Sequence, residues 1–151
     1  MKTFKKFIKG QELTDVPLKT KNKKHWGYHL LLDISGCSKN IDKEDEVKSF
    51  LKDLVKALDM KAIGDPIVVK VDSEQGRGIS AVQIITTSTI TFHGDDDEMC
   101  VYLDVFSCKD YDPEDAIRLV KKYFNPQHVG KKWIYRDAGR WRNEPQNQNA
   151  E

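Results

Sequence analysis

The chain has 151 residues, 38% of them hydrophobic and 32% charged, which suits one domain with one modest core. The net charge is only +1 at neutral pH, so the overall balance does not point to nucleic acid or an anionic surface as a partner. The apolar runs are also too short for a membrane-spanning helix.

Charge is unevenly spread. Residues 1–24 hold eight Lys against Glu12 and Asp15, with no Arg and no regular aromatic interleaving. That pattern reads as a solvated basic extension rather than a nucleic-acid-binding arm, and it lacks the apolar core of a secretory signal. Tyr28 to Ser35 is a largely apolar run ended by Gly36, a first strand. Asp42 can cap a helix whose apolar residues Val47, Phe50, Leu51, Leu54, Val55 and Leu58 recur at steps of three and four. After Gly64-Asp65-Pro66 comes a second strand, Ile67 to Val71, and Gly76-Arg77-Gly78 marks a turn or bulge.

Residues Ile79 to Thr86 and Thr87 to His93 form a β-branched run that reads as one long strand or as two bent at Thr-Thr-Ser. Gly94 to Glu98 is a turn, and Met99 to Phe106 pairs back as a hairpin. The run Asp95-Asp96-Asp97-Glu98 has no spaced His or Asn beside it, so it reads as a solvated turn rather than a metal site. Asp112 and Pro113 open a second helix with the stripe Ala116, Ile117, Val120 and Phe124, stopped by Asn125-Pro126. Lys132 to Tyr135 is a short last strand, and residues 137–151 form a polar tail. The order β-α-β-β-β-α-β predicts an α/β (α+β) two-layer sandwich: a mainly antiparallel sheet with both helices on one face.

Three cysteines, Cys37, Cys100 and Cys108, form no C-x-x-C pair. Neither a disulfide framework nor a structural zinc site follows, and a reducing cytoplasm is the expected setting. His29 and Cys37 read as core residues, and His25 and His128 carry no signal.

Ser88, His93 and Cys108 stand five and twenty residues apart, with Ser80 eight residues before Ser88. Together with Gly27-Tyr28-His29-Leu30 and Asp104-Val105-Phe106-Ser107-Cys108, this spacing resembles the short prokaryotic form of the S-adenosylmethionine decarboxylase proenzymes. The resemblance covers about residues 25 to 136. It implies a self-processing, pyruvoyl-dependent decarboxylase whose product serves spermidine synthesis. The chain would be cut between Thr87 and Ser88, and Ser88 would become the pyruvoyl group that forms a Schiff base with substrate. His93 would be the processing base, Ser80 would assist, and Cys108 would be the proton donor. The resemblance implies no metal, a homodimer of processed protomers with sites at the interface, and a small-molecule substrate rather than nucleic acid or a membrane.

Both side-chain types suit such roles: imidazole titrates near neutrality and a thiol ordinarily keeps its proton there. Residues five apart on a regular strand face opposite ways, so a bulge or bend is expected between Ser88 and His93, unless His93 acts from the turn.

The chain departs from the family pattern in three places. Thr87 replaces a glutamate, and Gly94-Asp95-Asp96-Asp97 replaces Thr-Trp-Pro-Glu. Ser73-Glu74-Gln75 offers no aromatic ring for adenine. Asp97 falls where the family's substrate-binding glutamate lies, and Asp97 and Glu74 are the expected substrate-binding carboxylates. Two alternatives follow from these departures. One is the same chemistry on arginine or ornithine; the other is an unprocessed, catalytically silent homologue that binds a ligand or a partner subunit.

Overall fold

The structure is a computed structural model that describes residues 26–74 and 76–138. The basic extension and most of the polar tail lie outside the described residues. Among the described residues, six strands form one antiparallel sheet: β1 (Gly27–Ser35), β2 (Ile67–Ser73), β3 (Gly76–Ile85), β4 (Ser88–Asp95), β5 (Cys100–Ser107) and β6 (His128–Arg136), in the order β2-β3-β4-β5-β1-β6. Helices α1 (Glu44–Ala57) and α2 (Pro113–Phe124) cover one face. The expected two-layer sandwich is therefore the architecture. The run from Ile79 to His93 is two strands, so the sheet has one strand more than the expected order. A hairpin at Thr86-Thr87 divides it.

Strand alternation sorts the side chains. Leu30, Leu32 and Ile34 of β1, Ile79, Ala81 and Ile85 of β3, Ile90 and Phe92 of β4, and Val101, Leu103 and Val105 of β5 are buried. Against them pack Val47, Phe50, Leu51, Leu54 and Val55 of α1 and Ala116, Ile117, Val120 and Phe124 of α2. Phe50, Phe92 and Phe124 meet at its centre, with ring centroids 4.8–6.2 Å apart. Asp112 caps α2 by accepting the Glu114 amide at 2.9 Å, and Asn125 closes it in the left-handed conformation. Asp42 does not cap α1. It ends a short 3-10 turn, Lys39–Asp42, and Lys43 occupies the cap position without a side-chain bond.

Two glycines let strands meet closely. A Cβ at Gly78 would stand 1.9 Å from the Gly94 carbonyl oxygen, and one at Gly27 would stand 2.6 Å from that of Ser107. Among the described residues, the opposite face of the sheet carries no helix. Val69, Ile84 and Tyr102 are about half exposed on it, beside Ile67 and Val71. His29 lies on this face and is only partly buried, so it is not a core residue. Cys37 is in the core.

Candidate active site

Thr86 and Thr87 are the two loop residues of the β3–β4 hairpin, with Ile85 and Ser88 as the closing pair. Two-residue hairpin loops favour glycine or asparagine, because their tight geometry requires positive φ. Here the chain has Thr-Thr, and positive φ appears on Ser88 instead, at +152°. An L-residue held there stores backbone strain, which persists only where its surroundings fix it.

The surroundings come from three sides. The α1–β2 connection braces β3 and the turn, through Ile63 N–H on the Ile84 carbonyl at 2.8 Å and Thr86 N–H on the Lys61 carbonyl at 2.9 Å. The end of β5 meets Thr87 directly. The Cys108 N–H donates to the Thr87 carbonyl oxygen at 3.0 Å, and the Ser107 hydroxyl donates to Thr87 Oγ1 at 3.0 Å. Gly27 lies over this junction, where its missing side chain leaves room for the Ser107 carbonyl. The Thr87–Ser88 peptide and the Cys108 backbone are thus neighbours.

His93 is elsewhere. The pairing of β3 with β4 runs without a bulge from Ile85↔Ser88 to Gly78↔Asp95. Five residues of regular strand put His93 about 16 Å along from Ser88. The expected bend does not exist, nor does His93 act from the turn, because Gly94 and Asp95 still belong to β4. His93 sits on the helix-free face, where its Nδ1 lies 3.1 Å from Ser80 Oγ, so the structure joins Ser80 to His93 and leaves both apart from Ser88.

Asp97 and Glu74 lie beyond His93, in the β4–β5 and β2–β3 turns. Asp97 forms an ion pair with Arg77, whose hydrogen bond holds the carboxyl below its usual range. Asp95 ties off the acidic turn by accepting the amides of Asp97 and Glu98 at 3.0 and 2.9 Å. Burial, followed by the charge of Asp42, raises the pKa of neighbouring Asp96. Among the described residues, no three His, Cys, Asp or Glu side chains gather as a metal site.

Sequence reasoning missed two features. One is Ser107, fully buried after the inward row Val101, Leu103 and Val105. A hydroxyl at an inward position of an apolar alternation was the available signal. The other is a cluster on the helix-free face within three strand rows of Ser88. Arg136 Nη1 lies 3.0 Å from His29 Nδ1, and His29 Nε2 faces Asp104 at 3.5 Å. Thr91 donates to Asp104 at 3.2 Å, the rings of Trp26 and Phe106 stand 5.3 Å apart, and Arg136 lies over that of Phe106. Burial lowers the pKa of His29, opposed by Asp104. A neutral ring also leaves Nδ1 able to accept from Arg136. The residues involved come from both ends of the chain, so no local motif announces the cluster.

A solved structure with the same fold is the adenosylmethionine decarboxylase of Aquifex aeolicus, with a TM-score of 0.65 and 22% identity over 84% of this chain and 99% of that one. A protein of Clostridium botulinum named S-adenosylmethionine decarboxylase proenzyme is 32% identical over 102 residues, 66% of this chain and 84% of the relative. A Methanococcus maripaludis protein of the same name is 27% identical over 108 residues, 70% of this chain and 85% of the relative. The family model described as S-adenosylmethionine decarboxylase matches residues 28–137, a span that holds the strained hairpin, the end of β5 and the Ser80–His93 pair. On that match, this chain belongs to the S-adenosylmethionine decarboxylase family.

Proposed function

We propose that the protein is a proenzyme that cuts itself between Thr87 and Ser88 and then decarboxylates S-adenosylmethionine. The observation that carries this reading is the setting of the Thr87–Ser88 peptide, with the Cys108 amide on its carbonyl oxygen and backbone strain on Ser88. Attack by the Ser88 hydroxyl on the Thr87 carbonyl carbon forms a C–O bond and breaks the C–N bond. The hydroxyl proton ends on the freed nitrogen. Negative charge on the carbonyl oxygen during this shift is met by a fixed N–H donor, the role of an oxyanion hole. Loss of the Ser88 α-proton then expels the Thr87 carboxylate, and hydrolysis releases ammonia and leaves a pyruvoyl group.

The residues around Ser88 fit that group: half-buried Cys108 follows Ser107, the strand partner of Ser88, its amide meets the Thr87 carbonyl, and its thiol is the candidate proton donor. The pyruvoyl carbonyl supplies the electron sink for decarboxylation. Cys108 then returns a proton to the substrate's α-carbon.

His93 as processing base, assisted by Ser80, reaches Ser88 in a homodimer. One copy cannot bring them together, because they lie at different positions along β4. Two copies packed through their helix-free faces, related by a two-fold axis, would set the Ser80–His93 pair of each beside the Ser88 of the other. The exposed Val69, Ile84 and Tyr102 on that face support such packing. The same association carries Asp97 and Glu74 toward the partner's site. No observation favours arginine, ornithine or a silent homologue.

Intact mass spectrometry of the purified protein tests the reading. The expected result is two fragments, residues 1–87 and 88–151, the second blocked to Edman sequencing, with Ser88→Ala uncut. A full-length chain that persists through long incubation at neutral pH overturns it.

A further inference from the structure

Thr87 is held at two points by consecutive residues of β5 and its exit. Its carbonyl oxygen accepts from the Cys108 amide, and its side-chain oxygen accepts from Ser107 Oγ, each at 3.0 Å. Ser107 is itself fixed, since its Oγ also accepts the Lys109 N–H at 3.0 Å. Neither hydroxyl is open to solvent: Ser107 is 0% exposed and Thr87 is 9% exposed. Burying two hydroxyls at the end of an apolar row is costly unless they are bonded, and here they bond to each other. From this geometry we infer that Ser107 is a positioning residue for self-cleavage, clamping Thr87 so that its carbonyl carbon stays presented to the Ser88 hydroxyl.

The clamp removes a degree of freedom from the turn. Without Ser107, the turn is still held by the Cys108 amide on the Thr87 carbonyl and by the Thr86 amide on the Lys61 carbonyl, but rotation about the Thr87 backbone bonds stays open and the strain at Ser88 relaxes through it. The second anchor, on the Thr87 side chain, removes that rotation. The carbonyl then keeps its orientation while the Ser88 hydroxyl adds to it and the C–N bond breaks. The clamp belongs to the acyl side of the peptide, which keeps its place, and leaves the Ser88 side free to move. It also gives Thr87 a reason to be threonine, because its hydroxyl is the anchor point. Ser107 is the strand partner of Ser88 and acts on the scissile peptide through its hydrogen bond to Thr87.

This inference rests on the proposed self-cleavage, and its test separates the two. Freshly purified full chains of the parent, Ser107→Ala, Thr87→Val, the double variant and Thr87→Ser are incubated at neutral pH, and the uncut fraction is followed by intact mass. Circular dichroism and thermal melts monitor the fold. Each single variant is expected to cleave about tenfold more slowly or worse. The double variant should be no slower than the singles, because both remove one clamp. Thr87→Ser, which keeps the hydroxyl and loses only a methyl, should recover cleavage. Parent-like rates in Ser107→Ala or Thr87→Val overturn the clamp and leave self-cleavage standing. Multiplied losses in the double variant, or failure of Thr87→Ser to recover cleavage, also overturn it, because they mark separate packing defects. A parent that stays uncut, even under hydroxylamine, overturns both readings.

Discussion

Ser80 Oγ and His93 Nδ1 face each other at 3.1 Å across β3 and β4, on the side of the sheet opposite the helices. This pair has a local partner for each member and no route to Ser88 within its own chain. Mixing two defective copies therefore distinguishes a shared site from a private one. Ser88→Ala and His93→Ala chains, each uncut alone, are expected to yield cleavage of the His93→Ala chain when co-expressed. Mass spectrometry of differently tagged copies reads the result, and no cleavage in the mixture would place the base elsewhere.

Cys108 contributes two groups, an amide to the Thr87 carbonyl and a thiol. Substitution separates them. Cys108→Ala keeps the amide, so self-cleavage should proceed at least in part while decarboxylation falls by about two orders of magnitude or more. Fragment masses and release of labelled CO2 measure the two steps on one sample. Equal turnover in the variant and the parent would remove the thiol from the reaction.

Asp97 is paired with Arg77. A carboxylate that holds the ribose hydroxyls of S-adenosylmethionine contributes binding to ground state and transition state alike, so Asp97→Ala should raise KM more than it lowers kcat. If arginine or ornithine were the substrate, the distal cation would need a carboxylate. Glu74→Ala would then cost about 2 kcal/mol or more of transition-state binding. Reductive trapping with cyanoborohydride in a mixture of the three compounds, followed by weighing the adduct, identifies the substrate.

Tyr123 donates to Asp53 at 2.7 Å and ties α2 to α1. That hydrogen bond is the main reason the Asp53 carboxyl lies below its usual range, with Lys56 next. Burial pushes the Tyr123 hydroxyl up to about 12, so it remains a donor at neutral pH. Because Asp53 binds its proton less readily when folded, its contribution is fully present above the ordinary carboxyl range and is lost as pH falls through the lowered value. Tyr123→Phe keeps the ring contacts and should cost about 1 kcal/mol at neutral pH. Urea unfolding near pH 3 should show a smaller difference between the two proteins; a gap that stays constant with pH would mean the loss is packing alone.

Local chemistry made much of this protein legible in its sequence. The 3.6-residue stripes of Val47 to Leu58 and Ala116 to Phe124 announced both helices, and Asp112-Pro113 marked where the second begins. The apolar run of β1 and the alternation of Val101 to Phe106 in β5 announced strands of the sheet. The spacing of Ser88, His93 and Cys108 carried the family resemblance, and one hairpin and one strand pairing bring Ser88 close to the Cys108 backbone. Tertiary structure decided what depends on pairing between distant segments. Strand count turned on whether Thr86-Thr87 folds back, which its residue types disfavour and the pairing of β3 with β4 imposes. The separation of His93 from Ser88 turned on the absence of a bulge, a matter of register that a β-branched run does not encode. The Ser107 clamp and the cluster of His29, Asp104 and Arg136 join residues up to 107 positions apart. Such contacts exist only once the sheet order β5-β1-β6 is set, because hydrogen bonds between remote side chains leave no period in the chain that makes them.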